Sequence, residues 1–551
     1  MVTILIYQLK FEQMLLGEHF MKTSESSKKL TFLFAILIVL SIFAIPSVNS
    51  NEAGMKPFGS INKAINKNPA ETLLEDIDPL VNLQVTVTID EIRALDQIDA
   101  NSEPDFYLKV YINDKEFKSP VWENQRYIKD PEWSCTWDVP DDVEWVNITI
   151  QLWDKNIGFD TLCDIAANDN GNANRKDIFV QYSLKSGHWI GYDMIYVPHS
   201  WDMDLSGYGR GNGCDDNSIY IEDNDCEIFF DITQNDYDGD GLPYWAETEF
   251  FDTDPTVDDR GRDDDKDNIP IEWEWKWGHM IDWEHDEETH EWFLIDSWFY
   301  DPFEYDDFEN LDPDNDGLNN VEEYLTAQWG SDPFRDDLFV ELDQMMPGPN
   351  GEQACILPEG SKNIIRDSFA RQNVVFHLDD GTWEGPSGSE MIPFDEYTTW
   401  EEINEFYNEF FLHNDENNWR RGVFHHGLVI YEAEGACGFC YRPDAYQISV
   451  VGMEKKVRSP ICGSRDVVYA SAYMHELGHS LGLMFLGGHT EGAYYPWQPL
   501  WWKFRPYKSI MNYGYMYGFL HNLVDYSDGS RGKNDFDDWS NLDLIYFQSY
   551  Y

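Results

Sequence analysis

The stretch that decides the reading is Ala470-Ser471-Ala472-Tyr473-Met474-His475-Glu476-Leu477-Gly478-His479-Ser480-Leu481-Gly482. It reads as a helix, and residues four apart on a helix share one face. His475 and His479 therefore stand one turn apart on the same side, where both imidazoles can reach one zinc ion. Glu476 falls beside the position such an ion leaves open, where a carboxylate can take a proton from water and later return it. Gly482, three residues beyond His479, is where the helix can stop and turn the chain towards a third ligand.

Further along stands Ser509-Ile510-Met511-Asn512-Tyr513. A zinc helix ending at Gly482 and followed by this segment resembles the metzincin clan of metallopeptidases, over about residues 336–551. The resemblance implies an α/β zincin catalytic domain that hydrolyses peptide bonds. It places Met511 beneath the metal as a Met-turn, and gives Tyr513 a role in binding zinc or stabilising the oxyanion, as in astacin-like members. One departure stands out: the clan's third ligand position is Phe485, which cannot bind metal. His489, after Gly487 and Gly488, is the expected third zinc ligand, with Glu491 and Asp525 as fallbacks. Between helix and Met-turn, the aromatic run Tyr494–Trp502 is expected to wall a substrate cleft and favour bulky apolar residues after the scissile bond, or else to pack as core.

Upstream of the zinc helix the pattern is α/β. Leu338–Leu342, Val374–Leu378, Gly427–Tyr431 and Tyr446–Gly452 read as strands, and Ser361–Arg371 as a helix opened by Ser361 as its N-cap.

The middle of the chain, 233–335, repeats one ligand pattern three times. Asp236, Asp238, Asp240 and Glu247 occupy positions 1, 3, 5 and 12 of a loop with Gly241 at position 6, and Asp312, Asp314, Asp316, Gly317 and Glu323 repeat it. A third copy, Asp263, Asp265, Asp267 and Glu274, has Asn268 in place of the glycine, a residue that also tolerates left-handed backbone. A hard cation wants six or seven oxygens, and such a turn points alternate carboxylates inward, so calcium is the expected ion. The loops resemble EF-hand-like loops and thrombospondin type 3 repeats, which implies a structural, bracing role. The loop at Asp312 is expected to lead into a helix over Leu318–Gln328.

Residues 81–232 read as a β-sandwich, from period-two alternation in Leu83–Ile89, Phe106–Ile112 and Val146–Trp153. Asp96, Asp99 and Asp105 gather in one connecting loop, and Asp154, Asn156 and Asp160 in another. With Asp105-Phe106-Tyr107 and Leu152-Trp153-Asp154, the segment resembles a C2 domain, which implies calcium and lipid contact at one end of the sandwich. Acids that merely solubilise turns are the alternative. Asn147-Ile148-Thr149 is a glycosylation sequon.

The 551 residues are too many for one core, so about three domains are expected. A net charge of −65 excludes a nucleic-acid surface and favours cations as partners; acidity as adaptation to high salt is the alternative for the remainder. Residues 1–50 read as a signal peptide, with Lys28 and Lys29, an apolar run from Thr31 to Pro46, a small-residue end at Ser50, and Met21 as an alternative start. Residues 51–80 read as a linker or short propeptide. An uncleaved N-terminal anchor is the alternative to secretion. Eight cysteines, Cys437-Gly438-Phe439-Cys440 among them, fit structural cystines in an oxidising compartment.

The sequence thus predicts a multidomain secreted protein: a C2-like β-sandwich, a calcium-loop linker region and a C-terminal α/β zinc metallopeptidase domain acting on protein or peptide substrates. The competing expectation is a calcium-braced surface or adhesion protein carrying an inactive protease fold.

Overall fold

The computed structural model describes residues 76–166, 175–191, 209–214, 224–285, 292–383, 387–433, 437–483, 489, 492–518 and 523–550. The expected signal peptide, most of the expected linker, Phe485, Gly487, Gly488 and Glu491 lie outside the described residues. By contact, Glu71–Glu284 and Leu294–Tyr551 form one unit; the other, Met1–Ala70 with His285–Phe293, lies almost wholly outside the described residues.

Alternating apolar residues form a two-sheet sandwich from β1 (Gln84–Ala94), β2 (Phe106–Ile112), β3 (Lys115–Lys118), β4 (Tyr127–Asp138), β5 (Trp145–Asp154), β6 (Thr161–Leu162), β7 (Ile178–Ser183), β8 (Trp189–Gly191), β9 (Arg210–Asn212) and β10 (Cys226–Gln234). One sheet runs β4-β1-β10-β9 and the other β3-β2-β5-β7-β8, with β6 beside β5. Val85, Val87 and Ile89 share a core with Leu108, Val110, Ile148, Ile150 and Val180, as period two demands when one face of each sheet is buried.

The first calcium-type loop leads into a short helical segment, Tyr244–Ala246 continuing as Glu247–Phe251. The second leads into α1 (Ile271–Gly278), which is followed by the hairpin strands β11 (His279–His285) and β12 (Trp292–Trp298). The third leads into α2 (Asn320–Thr326), shorter than expected because Asn319 caps it with Glu322 in a capping box and the last turn tightens at Ala327–Trp329. Trp273, Trp277, Tyr300, Phe308 and Phe334 make the apolar cluster of this region.

The C-terminal region is a mostly parallel sheet of β13 (Asp337–Met345), β14 (Val375–Asp379), β15 (Met391–Ile392), β16 (Phe424–Ile430), β17 (Gly438–Arg442) and β18 (Ala445–Ser449). Its order is β14-β13-β16-β18-β17, with β15 beside β13 and with β17 antiparallel to β18. Its helices are α3 (Glu359–Ala370), α4 (Trp400–Phe406), α5 (Val450–Val457), α6 (Arg465–Ser480) and α7 (Pro499–Phe504). Two expectations need correcting. Ser361 is not the cap of α3, which begins two residues earlier after Pro358; its hydroxyl is buried inside the helix and donates to the carbonyl of Asp466. The strand expected over Tyr446–Gly452 ends at Ser449, and the apolar residues after it open α5, because a short apolar run fits either period.

A buried ion pair joins sandwich and sheet: the Arg93 guanidinium lies 3.0 Å from Asp367 on α3, and the Asn212 side chain donates to the Ala370 carbonyl at 2.8 Å. The expected cystines are absent, all eight cysteines being free thiols. Cys214 and Cys355 are buried in different hydrophobic clusters, which keeps them apart, whereas Cys163 is hydrogen-bonded to Cys226. Among the described residues no helix is long and apolar enough to cross a membrane.

Candidate functional site

α6 is buried along nearly its whole length, because it packs under the sheet beside α3 and β18. Ser464 caps its start by accepting from the Val467 N–H, and Gly482, at φ +86°, ends it in the left-handed conformation that glycine adopts without strain. On the face away from the core, the Nε2 atoms of His475 and His479 lie 3.1 and 3.2 Å from Nε2 of His489. The third imidazole that the sequence assigned to the loop beyond Gly482 therefore meets the other two, forming a group whose nitrogens lie within 4.8 Å of one another.

The chemistry of this donor set fits a metal. Nδ1 of His475 lies 2.9 Å from the Ile510 carbonyl, and Nδ1 of His479 lies 2.8 Å from the Leu483 carbonyl. A carbonyl only accepts, so each of these Nδ1 atoms carries the proton and each Nε2 presents a lone pair to the centre. Lone pairs facing one another have no mutual hydrogen bonds to satisfy them. Tetrahedral zinc with bonds of about 2.0–2.1 Å would hold nitrogens roughly 3.3 Å apart, close to the spacing found. Burial, and then the neighbouring imidazoles, keep His475 well below its ordinary pKa and His489 at about 4, so both are neutral, as ligands must be. Burial also lowers His479.

Glu476 is buried beside this group, its carboxyl pushed up to about 8 by burial and partly relieved by the Cys440 N–H. Its side chain rests on β17: a Cβ at Gly438 would sit 2.7 Å from Oε1. Only glycine leaves that room, and no periodicity in the sequence marks the edge strand as part of the site. The Tyr513 ring packs 4.3 Å from the His489 ring and 4.8 Å from Tyr494, with which it is stacked. Burial pushes its phenol up to about 12, so it is a proton donor at neutral pH. Met511 is fully buried below α6, its sulfur against Gly478 between the two helical histidines. Asp525 stands outside the imidazole group, its carboxylate accepting from the Tyr526 N–H at 2.8 Å. The aromatic run divides: Trp501 is buried against Gly514, while Trp497 and Trp502 are 75% and 58% exposed.

The three acidic loops each draw their carboxylates together, Asp236/Asp238/Asp240, Asp263/Asp265/Asp267 and Asp312/Asp314/Asp316. In each, the first Asp accepts backbone N–H groups three and five residues on, which folds the turn. Gly241, Asn268 and Gly317 all take positive φ at position 6, so the substitution in the Asp263 copy is accommodated as expected. The inward oxygens lack partners: both of Asp238, both of Asp265, both of Glu274, and one each of Asp314 and Glu323 are buried without a hydrogen bond. Burial and the neighbouring Asp residues push Glu247 up to about 8 and Glu274 to about 9. Buried, unpartnered carboxylates this close repel one another, and a divalent cation of oxygen preference removes both penalties. Asp259, Asp306 and Asp337, which the twelve-residue pattern does not contain, lie against these loops.

The acids at the end of the sandwich behave differently. Asp154 accepts from the Asp105 N–H and the Asn156 amide, and Asp160 accepts from the Tyr107 hydroxyl at 2.8 Å. Among the described residues they form no group of three carboxylates as tight as those of the loops. Between them, Ile157 and Phe159 project fully into solvent at 109% and 94% exposure.

Residues 83–166 match the family model described as C2 domain. Among solved structures, a C2 domain is 12% identical over 28% of this chain and 98% of its own, with a TM-score of 0.16. The paired C2 domains of Extended-Synaptotagmin 2 are 10% identical over 30% of this chain and 44% of theirs, with a TM-score of 0.17. Human GIVD cytosolic phospholipase A2 is 14% identical over 28% of this chain and 16% of its own, with a TM-score of 0.16. No curated protein matches the chain. The chain is therefore multidomain, with a C2-like β-sandwich followed by further sheet-rich regions.

Proposed function

We propose that the chain is a secreted zinc-dependent endopeptidase that hydrolyses peptide bonds in extracellular proteins. The observation that carries the reading is the convergence of the three Nε2 atoms beside Glu476. His475, His479 and His489 would hold zinc, which would supply a Lewis acid and lower the pKa of a ligated water towards about 7. Glu476 would act as the general base that takes a proton from the attacking water and then hands it to the leaving amine. The Tyr513 hydroxyl donates a hydrogen bond to the oxyanion that develops. β17, an edge strand beside Glu476, and the exposed rings of Trp497 and Trp502 give an extended peptide a wall to lie against.

Metal analysis with casein hydrolysis tests this. About one zinc per chain and proteolysis abolished by chelation support it; a zinc-free purified protein that hydrolyses nothing supports the inactive, calcium-braced scaffold instead. Calcium in the three loops is structural in this reading. A calcium-selective chelator is expected to lower the melting temperature and expose residues 233–335 to cleavage.

A second reading concerns the sandwich, which we propose contacts a lipid surface through Ile157 and Phe159. What favours it is their full exposure at one loop tip, where isolated apolar side chains of that size gain by entering a membrane. Cosedimentation with phosphatidylserine vesicles tests it: binding that survives the double substitution Ile157→Asp, Phe159→Asp would sink it.

A further inference from the structure

After each calcium-type loop the chain carries a second, shorter repeat: Asp254-Pro255 to Asp259, Asp301-Pro302 to Asp306, and Asp332-Pro333 to Asp337, in each case Asp-Pro-x-x-x-Asp. In the second copy α1, β11 and β12 intervene between loop and repeat, yet the outcome is the same. The last Asp of every copy donates its backbone N–H to Oδ2 of the third Asp in its loop: Asp259 to Asp240 at 3.2 Å, Asp306 to Asp267 at 3.3 Å, and Asp337 to Asp316 at 2.6 Å. The same backbone closure recurs in all three copies, and among the described residues the Asp337 carboxylate joins a tight group with loop carboxylates.

We propose that Asp337 is a ligand of the third calcium ion, which thereby ties the linker region to the sheet of the catalytic domain; the inference rests on the calcium reading of the loops. Carboxylate oxygens of Asp316, Glu323 and Asp337 lie within 4.8 Å of one another, and all three residues are buried. Glu323 is 1% exposed, and its Oε1 has no hydrogen-bond partner. Three aspartates, a bidentate glutamate and the backbone carbonyl at position 7 give about six oxygens, the low end of the six to eight that calcium takes, and Asp337 supplies a further one. Asp337 is also the first residue of β13, paired with Val375 of β14, and His377 on β14 lies 2.6 Å from it. The ion therefore fixes the start of the central strand on which β14 and β16 are built.

Calcium titration calorimetry on the full chain tests this with wild type, Asp337→Asn and His377→Gln. Wild type is expected to bind three ions. Asp337→Asn is expected to weaken one site by about tenfold or more and leave two unchanged, while His377→Gln keeps all three. Three unchanged sites in Asp337→Asn overturn the inference alone; a wild type that binds no calcium overturns the loop reading beneath it. Wild-type hydrogen exchange guards against a variant that fails to fold: amides of Asp337 to Phe339 slow when calcium is added if Asp337 is a ligand, and exchange unaffected by calcium refutes it.

Discussion

Replacing Glu476 by Gln separates binding from chemistry at the proposed centre. The imidazoles of His475 and His479 are oriented by the carbonyls of Ile510 and Leu483, not by Glu476, so the variant should keep about one zinc per chain. Glutamine has the same shape, fits the space against Gly438 and still offers an oxygen to the Cys440 N–H. It cannot take a proton. Loss of a general base costs about 10²–10⁴ in rate, roughly 3–5 kcal/mol of transition-state stabilisation. Glutamine matches the carboxylate in size and fills the same space, so the melting temperature should be unchanged. Casein hydrolysis, zinc analysis and thermal scanning on the same preparations read the three quantities. A variant that holds zinc and keeps more than about a tenth of wild-type activity would refute the assignment of Glu476 as base.

Gly438→Ala puts a Cβ 2.7 Å from Glu476 Oε1 and 3.1 Å from the Gln447 carbonyl, so the carboxylate or β17 must move; zinc should stay while activity falls about tenfold to a hundredfold, and full activity would show that the edge strand is not part of the site. Arg93→Ala leaves Asp367 buried with the half-exposed Arg126 as its remaining ion-pair partner, which should cost about 3–5 kcal/mol and loosen the sandwich against α3, where the Asn212 bond to Ala370 remains; unchanged limited proteolysis between the two would contradict this. His425 is buried against the Leu544 carbonyl, and burial holds it at about 4 against an ordinary 6.5. The unfolded chain protonates first, so stability is complete above pH 6.5 and about 3 kcal/mol is lost as pH falls to 4. Equal acid slopes of melting temperature in wild type and His425→Gln would refute that.

The pairing of His475 with His479 was legible because a helix face is set by local geometry: four residues on a helix bring the two together whatever surrounds them. The calcium-type loops were legible for the same reason, since a twelve-residue turn closes on itself. The strands of the sandwich could be read from alternation, but α5 could not be told from a strand, because Val450 to Met453 is apolar in both periods. Cysteine number alone suggested cystines, whereas the eight cysteines are free thiols and Cys214 and Cys355 lie in separate clusters.

By itself, then, the sequence determined which side chains could act: two imidazoles and a carboxylate on one helix, three sets of loop carboxylates, and a tyrosine after a buried methionine. Tertiary structure alone decided which distant partners they meet. It brought His489 across ten residues to His479, laid β17 and its Gly438 against Glu476, and returned Asp337 to Asp316 over twenty-one residues. The reason is physical: contacts within a turn follow from the backbone's own periodicity, whereas contacts that close long loops exist only when the burial of the rest of the chain offsets the entropy of bringing their ends together.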